Sequence, residues 1–400
     1  MSVASAITAA TVRELLDEIE RIRPVLEDQA ARAEADRRLT DEAWRALGDA
    51  GLFTMLAPQA YGGLELPITD VMTVWEAIAR IDSAAAWNLV MTTGVACFSA
   101  FLPAEGAREL FADGPTTMAG ALFPPGQATR AEGGWRVTGR APFVSACHHA
   151  AWCALPAVAM DGETPRLDPG TGQPVLLAVV LPRHETRILD TWHTVGMRGT
   201  GSADLVVDDV FVPDRRAIAV APLTAPAPGF EGPLYRLWPL CCVLGEATVS
   251  VGVAAAAVDA YIELARTKTP AFQAVALRDQ QLAQYAAGKA RARVDAARDT
   301  LQRAAQQAYE ETAAGGELLS WEAKTRLQLA ACFAAEACAE AVRLVHDAAG
   351  SSAIRLEQPF ERHFRDAHVL TQHSSKSSSR YATAGRLLFG LENDWIWLSF

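Results

Sequence analysis

The segment that decides the fold begins with the run Trp192-His193-Thr194-Val195-Gly196-Met197-Arg198-Gly199-Thr200-Gly201-Ser202. After it, residues 204–212 form a run rich in valine and other apolar residues, which Pro213 closes. Such a run predicts a strand. Gly199 and Gly201 lack the third glycine of a dinucleotide-binding loop, and a strand follows them where that loop requires a helix. The segment therefore predicts a polar turn that enters a β-strand.

Other strand-like runs surround this segment in the middle of the chain. They lie at residues 135–138, 154–160, 175–181 and 186–189, and Gly133-Gly134 is typical of a hairpin turn. Several short strands in sequence predict a small barrel or sandwich. We therefore expect a central β domain over residues 116–222.

Both flanking regions show helical periodicity. The first predicts helices at residues 12–26, 40–51, 68–80, 84–101 and 104–111, with Thr40 as an N-cap and Gly51 as a stop. After a loop at 222–233, the alanine-rich remainder predicts long helices at 240–268, 276–313, 320–349 and 381–391. We expect an N-terminal helical domain over residues 1–115 and a C-terminal four-helix bundle over 223–400. The fold class is mainly α with a central β domain.

Composition is that of a globular protein. Half of the 400 residues are hydrophobic and 21% are charged, which excludes extended disorder. A net charge of −11 repels phosphate backbones and argues against a nucleic-acid binder. Seven cysteines without a CxxC pair predict buried, reduced thiols. Residues 1–10 lack the features of a signal peptide, and no membrane association is expected, so we expect a cytoplasmic protein.

Familiar metal signatures fail on spacing. His184-Glu185 has no second histidine at the distance that a zinc protease requires. His363, His368 and His373 are five residues apart, which spreads them over different faces of a helix. The sequence therefore predicts no metal site.

The opening segment, together with residues 207–213, resembles the signature of the acyl-CoA dehydrogenase superfamily. Residues 52–63, 133–150 and 362–366 fit the same pattern in the same order, so the similarity extends over nearly the whole chain. It implies an N-terminal helical domain, a β-barrel or sandwich and a four-helix bundle, with a flavin bound beside the β domain.

The chain departs from the dehydrogenases at their catalytic base. Their glutamate takes a proton from an acyl thioester, and the equivalent place beyond Asp366 holds His373-Ser374. Relatives that carry the base earlier place it before an Arg-Leu pair, where this chain has Tyr235. Neither a phenol nor a serine easily replaces that carboxylate. The pyrophosphate-binding Arg-x-x-Phe-Gly segment is also unrecognisable between residues 266 and 274. We therefore expect no carboxylate over the reactive face of the flavin.

Residues 143–152 are similar instead to the monooxygenase branch, which includes the oxygenase component of 4-hydroxyphenylacetate hydroxylases. That resemblance implies reduced FMN or FAD supplied by a separate flavin reductase. It also implies reaction with O2 through a flavin C4a-hydroperoxide, and insertion of one oxygen atom into an aromatic, polycyclic or heteroatom substrate. A homotetramer is implied as well.

The resemblance also assigns candidate site residues. Ser145 is expected to hydrogen-bond flavin N5, with Phe143 against the ring, and His373 is expected to act as acid or base near neutral pH. Further candidates for flavin contacts are Trp192, Arg198, Thr200 and Ser202. Three alternatives stay open: Ser145 satisfies only backbone, His373 is structural, and Arg198 forms a surface ion pair. Of His148 and His149, adjacent on a strand, at most one faces the pocket.

One difference concerns the substrate. Phenol hydroxylases of this branch carry a histidine after a Gly-Val pair, whereas Gly94-Val95 is followed here by Ala96. The substrate is then a nucleophile that needs less help from a base, such as a polycyclic aromatic, an indole, a sulfur atom or an amine. Two other functions remain: an acyl-CoA dehydrogenase or oxidase with an unrecognised base, and a non-catalytic paralogue that binds a ligand in the flavin cleft.

Overall fold

The computed structural model describes residues 3–121, 123, 125–220, 226–315 and 319–399, with side chains from residue 9 onward. Within these ranges the order is helical, then β, then helical, as the sequence predicts. All described strands fall between residues 118 and 219. The expected domain boundary at 222/223 and the start of the loop at 222–233 lie outside the described residues.

Five helices form the N-terminal part: α1 (Val3–Asp36), α2 (Asp41–Asp49), α3 (Ile68–Ala79), α4 (Ser83–Ala96) and α5 (Ala104–Leu110). The predicted N-cap is confirmed, because Thr40 Oγ1 accepts a hydrogen bond from the Ala43 amide at 3.2 Å. Gly51 follows α2 with a φ of 72°, a left-handed conformation that suits glycine. Helix α4 ends before the predicted residue 101 because Cys97–Phe101 continues as a 3-10 helix.

The central part contains nine described strands: β1 (Met118–Gly120), β2 (Gly126–Ala131), β3 (Gly134–Val144), β4 (Trp152–Asp161), β5 (Thr164–Pro165), β6 (Leu176–Pro182), β7 (Arg187–Leu189), β8 (Ala203–Pro213) and β9 (Ala217–Ala219). They form one sheet in the order β7-β8-β3-β2-β4-β6-β9, while β1 and β5 pair with β4. The predicted hairpin is present between β2 and β3, where Gly133 has a φ of 71°.

The sheet has its own hydrophobic core. Side chains from β2, β3, β4, β6 and β8 share it, and Val137, Val179 and Leu205 are among its buried members. A larger core joins the N-terminal and C-terminal helices. The strands therefore wrap around one core while the helices on both sides of them in sequence pack together into another.

Five helices form the C-terminal part: α6 (Leu240–Thr267), α7 (Gln281–Ala313), α8 (Trp321–Ala349), α9 (Phe360–Leu370) and α10 (Ser379–Leu388). All four predicted helices are present, with Ser320 as the N-cap of α8; α9 was not predicted. Helix α6 lies very close to α3 and α4, since a Cβ on Gly252 would lie 2.4 Å from Ala79 Cβ and one on Gly245 would lie 2.5 Å from Val90 Cγ1.

Two apolar helical stretches, Ser83–Phe101 and Leu240–Thr267, have the length and hydropathy of a membrane span, but 94% of the 18 most apolar consecutive residues of each are buried inside the protein. This burial is that of core helices. All seven cysteines are buried and free, as predicted.

Candidate active site

A cavity of about 420 Å³ lies between the sheet, α4, α6 and the segment that follows α9. This volume is in the range of small-molecule sites, about 300–1,000 Å³. Its walls are largely apolar and include seven aromatic rings, those of Trp87, Phe98, Phe123, Phe143, Trp192, Trp238 and Trp397. Six predicted site residues line it together: Phe143, Ser145, Trp192, Thr200, Ser202 and His373.

The two loops that carry these residues are conformationally strained. Phe143, Ala146 and Met197 have φ values of 59°, 59° and 53°, in the left-handed region that non-glycine residues rarely adopt. Each such residue costs about 1–3 kcal/mol, and strain of this kind concentrates at functional sites. Phe143 is 71% exposed at the cavity and lies perpendicular to Trp192, with ring centroids 6.2 Å apart. The mouth of the cavity is thus apolar and aromatic.

A chain of hydroxyl groups runs behind this mouth. Ser145 Oγ lies 2.8 Å from Ser202 Oγ, which lies 2.7 Å from Thr200 Oγ1. Thr200 Oγ1 donates to the Met197 carbonyl oxygen at 2.8 Å. At the other end, Trp87 Nε1 donates to Ser145 Oγ at 2.9 Å. The three hydroxyls therefore connect α4 to the strained turn before β8.

The direction of this chain follows from counting hydrogens. A carbonyl only accepts, so the single hydroxyl hydrogen of Thr200 is committed to Met197. Ser202 must then donate to Thr200, and Ser145 must donate to Ser202. Ser145 also accepts from Trp87. Its oxygen therefore has one lone pair left, while its only hydrogen is used in the bond to Ser202. Ser145 is consequently an acceptor for an N–H group in the cavity.

A second polar cluster lies at the cavity wall beside α6. His373 Nδ1 is 2.9 Å from Glu246 Oε2 and 2.8 Å from Ser375 Oγ, and the Ser375 hydroxyl donates to the same carboxylate oxygen. Among the described residues, no side chain or backbone group bonds His373 Nε2. The ring of His373 lies edge-on to Trp87, with centroids 5.3 Å apart. This contact joins the two polar clusters through one indole.

Lys376 is a further member of this second cluster. It is 2% exposed, and its Nζ lies 3.7 Å from Glu246 Oε2 and 4.7 Å from the centre of the Trp87 ring. Burial raises the pKa of Glu246, but a positive charge at His373 or at Lys376 and the hydrogen bonds from His373 and Ser375 outweigh it, so the pKa is lowered. Burial lowers the pKa of Lys376 to about 8. Glu246 is therefore ionised at neutral pH.

Other predicted positions lie away from the cavity. Arg198 Nε donates to the Glu34 carbonyl oxygen at 3.0 Å, so its guanidinium is tied to α1 and does not line the cavity. His148 and His149 lie in a turn and not on a strand, and neither lines the cavity. Tyr235 is fully buried and its hydroxyl donates to the Leu56 carbonyl oxygen at 3.2 Å.

Arg362 and Asp366 of α9 connect this helix to the start of α4 and to the turn before β8. Asp366 is 2% exposed and accepts hydrogen bonds from the Met197 amide at 2.6 Å and from the Ser83 hydroxyl at 2.5 Å. Arg362 also bonds Asp82, the residue that caps α4. Helix α9 thereby fixes the turn that holds Thr200 and the start of α4.

Comparison with known proteins bears on this arrangement. Residues 8–106 match the family model of the acyl-CoA dehydrogenase N-terminal domain, and residues 244–378 match that of the acyl-CoA dehydrogenase C-terminal domain. A pigment production hydroxylase from Rhodococcus sp. (strain ATCC 21145) is 31% identical over 91% of this chain and 93% of its own length. The chain belongs to the flavin-dependent monooxygenases of the acyl-CoA dehydrogenase superfamily.

Two further relatives agree with this assignment. The flavin-dependent monooxygenase oxygenase subunit HsaA of Mycobacterium tuberculosis (strain CDC 1551 / Oshkosh) is 28% identical over 97% of this chain and 98% of that protein. The structure of XiaF from Streptomyces sp., in complex with FADH2 and glycerol, aligns with a TM-score of 0.89 at 26% identity, covering 98% of this chain and 99% of that one. The protein is an oxidoreductase, a flavin-dependent monooxygenase.

Glu246 is the residue of this monooxygenase that sequence analysis missed. It lines the cavity, whereas the expectation from the sequence is that no carboxylate lies over the reactive face of the flavin. A dehydrogenase base must be free to take a weakly acidic C–H proton, whereas Glu246 has a lowered pKa and is engaged by His373, Ser375 and Lys376. One signal was available: between Arg236 and Asp259, Glu246 is the single charged residue in an apolar stretch, and buried charges are rarely unpaired.

Proposed function

We propose that this monooxygenase binds reduced FMN or FAD in the cavity and transfers one oxygen atom of O2 to an aromatic, polycyclic or heteroatom substrate. When bound, the reduced flavin supplies the electrons that activate O2. The observation that carries the proposal is that a serine with a free acceptor lone pair and a histidine with an unbonded Nε2 line one aromatic cavity.

The residues present fit a reduced flavin. Reduced flavin carries an N–H at N5, and Ser145 offers the matching acceptor, held by Trp87 and Ser202. Phe143 and Trp192 provide the apolar surface against which an isoalloxazine packs. We infer that these residues orient the ring and exclude water, which protects activated oxygen from release as hydrogen peroxide.

His373 is proposed as the acid or base that faces the substrate. An ionised carboxylate accepts only, so at 2.9 Å Nδ1 carries the hydrogen that points to Glu246, and this bond outweighs the longer contact of 3.4 Å from the Ser375 amide to the same nitrogen. In the neutral ring Nε2 then holds a lone pair. With Glu246 behind it, His373 is able to take a proton from a substrate O–H or N–H, and the imidazolium is able to return one.

The aromatic lining indicates the substrate class. Phe98, Trp238 and Trp397 line the cavity with Val95, the residue just before the position where phenol hydroxylases carry a histidine. Flat apolar substrates pack well on such walls. We propose an indole, polycyclic aromatic or sulfur-containing substrate.

Partner, assembly and location are also part of the proposal. A separate flavin reductase would supply the reduced flavin, as the name oxygenase subunit indicates for HsaA. A homotetramer is supported by the exposed apolar side chains Leu282, Leu388 and Phe389, at 83%, 69% and 85% exposure, which a neighbouring copy would cover. A cytoplasmic location is supported by the seven free cysteines. Light scattering of the purified protein measures this assembly.

The test is a single-turnover reaction with ¹⁸O2. Purified protein is mixed with chemically reduced FMN or FAD and a panel of indoles, phenols and thiophenes, and products and hydrogen peroxide are quantified. We expect one ¹⁸O atom in the product. Ser145→Ala should lower the product yield per flavin and raise peroxide release. An acyl-CoA thioester serves as the opposing substrate: its oxidation, without labelled product from any aromatic, would refute oxygen transfer.

A further inference from the structure

The buried ammonium of Lys376 is not used by the proposed oxygen transfer. It lines no part of the cavity, and its Nζ has no hydrogen-bond partner among the described residues. A buried, unpaired lysine is destabilising unless an opposite charge compensates it. Its neighbours are Glu246 at 3.7 Å and the Trp87 ring at 4.7 Å. Lys376 therefore compensates one specific carboxylate.

We propose that Lys376 is a positioning residue, which keeps Glu246 ionised so that His373 presents a neutral ring with its Nε2 lone pair toward the cavity. This inference rests on the proposed role of His373. Glu246 is 1% exposed, and it faces two cationic candidates, the imidazole and the ammonium. If the ammonium carries the compensating charge, the imidazole is free to remain neutral.

The other groups around the cluster do not replace this charge. Ser375 donates a hydrogen bond to Glu246 but carries no charge, and Cys242 lies near it on the same helix. Cys332 also lies near Lys376, and burial raises the pKa of this thiol, so it is neutral. Without Lys376, burial would favour a Glu246–His373 pair with no net charge. The pair reaches that state by taking up one proton. The imidazole would then be held as a donor and would lose its function as a base.

The experiment follows ring protonation in flavin-free protein by ¹⁵N NMR of histidine-labelled samples, with His373→Asn used to assign the signals. Wild type should show the neutral ring with hydrogen on Nδ1. In Lys376→Met we expect the midpoint of proton uptake by the Glu246–His373 pair to rise by about one pH unit. Lys376→Arg, which keeps the charge, should restore the wild-type midpoint.

The matched control is Lys324→Met. Lys324 is 3% exposed and lies over the Trp321 ring at 4.8 Å, but it donates to the Leu398 carbonyl oxygen and does not line the cavity. Its substitution should leave the midpoint unchanged. An equal shift in both variants, or no shift in Lys376→Met, overturns the proposal.

A second variant covers the case in which Lys376→Met does not fold. Glu246→Gln keeps the shape and removes the anion, so the share of the ring with hydrogen on Nδ1 should fall; an unchanged share overturns the proposal. Because these measurements use no flavin, they are independent of oxygen transfer. Expected NMR shifts with no labelled product would refute the proposed function alone.

Discussion

Replacement of Asp366 by alanine tests how the polar turn of the cavity is held. In the wild-type protein its carboxylate accepts from the Met197 amide and the Ser83 hydroxyl, and Arg362 Nε lies 3.5 Å away. Burial raises the pKa of Asp366, and Arg362 and the two hydrogen bonds partly offset this. The substitution leaves an amide, a hydroxyl and part of a guanidinium charge without an acceptor in the interior.

The expected loss of stability is large. Removing one partner of a buried ion pair costs about 3–5 kcal/mol. Scaled to a chain of 400 residues, the unfolding entropy is about 0.8 kcal/mol per kelvin, so Tm should fall by about 4–6 °C. The Met197 carbonyl accepts from Trp192 and Thr200, so the turn should loosen. We expect the affinity for reduced flavin to fall about tenfold, or about 1.4 kcal/mol.

Differential scanning fluorimetry and anaerobic flavin titration measure the two effects. Asp347→Ala is the control, because Asp347 is 61% exposed and its pair with Arg343 is a surface contact of small energetic value. The control should melt within about 1 °C of wild type. The reasoning is refuted if Asp366→Ala melts equally close to wild type, or if it loses stability while flavin affinity stays unchanged.

Two further predictions concern stability. Because burial lowers the pKa of Lys376 to about 8, the unfolded chain binds more protons between that pH and about 10.4, and the free energy of unfolding should rise there by about 3 kcal/mol. In urea titrations across this range, Lys376→Met should lack that rise; an identical pH profile contradicts it. Gly106→Ala should destabilise by about 1–3 kcal/mol, since the new Cβ would lie 1.8 Å from the Arg215 carbonyl oxygen. Gly288→Ala, with open space around it, should instead raise Tm, and equal shifts in both glycine variants would refute the packing argument.

Much of the fold could be predicted from the sequence, because the patterns that define its helices and strands are local in the chain. The caps Thr40 and Ser320 lie directly before their helices, so spacing along the chain identifies them. Helix α9 (Phe360–Leu370) was missed, although Phe360, Phe364, Ala367 and Leu370 recur at helical spacing in a segment that also carries four charged side chains. His148 and His149 were taken to lie on a strand, but residues 145–149 form a turn in which Ala146 has a positive φ.

The candidate site could be predicted from the sequence only in part. Ser145 and His373 were identified by resemblance, and both line the cavity, whereas Arg198 is bound to the Glu34 carbonyl and does not. The orientation of the Ser145 hydroxyl had no sequence signal, because it depends on Trp87, 58 residues away. Glu246 could have been recognised as a single acidic residue in an apolar stretch. Nothing in the sequence indicated which residues would contact it.

The sequence by itself determined the helical, β and helical order, the absence of a dehydrogenase glutamate after Asp366, and the segments that line the cavity. These properties depend on residue type and on spacing over one or two turns. The tertiary structure alone decided that Ser375 and Lys376 meet Glu246, with Ser375 and the carboxylate 129 residues apart. A buried charge is compensated by the polar or charged groups that packing places within a few ångströms of it. That proximity is a property of the assembled core and not of any one segment.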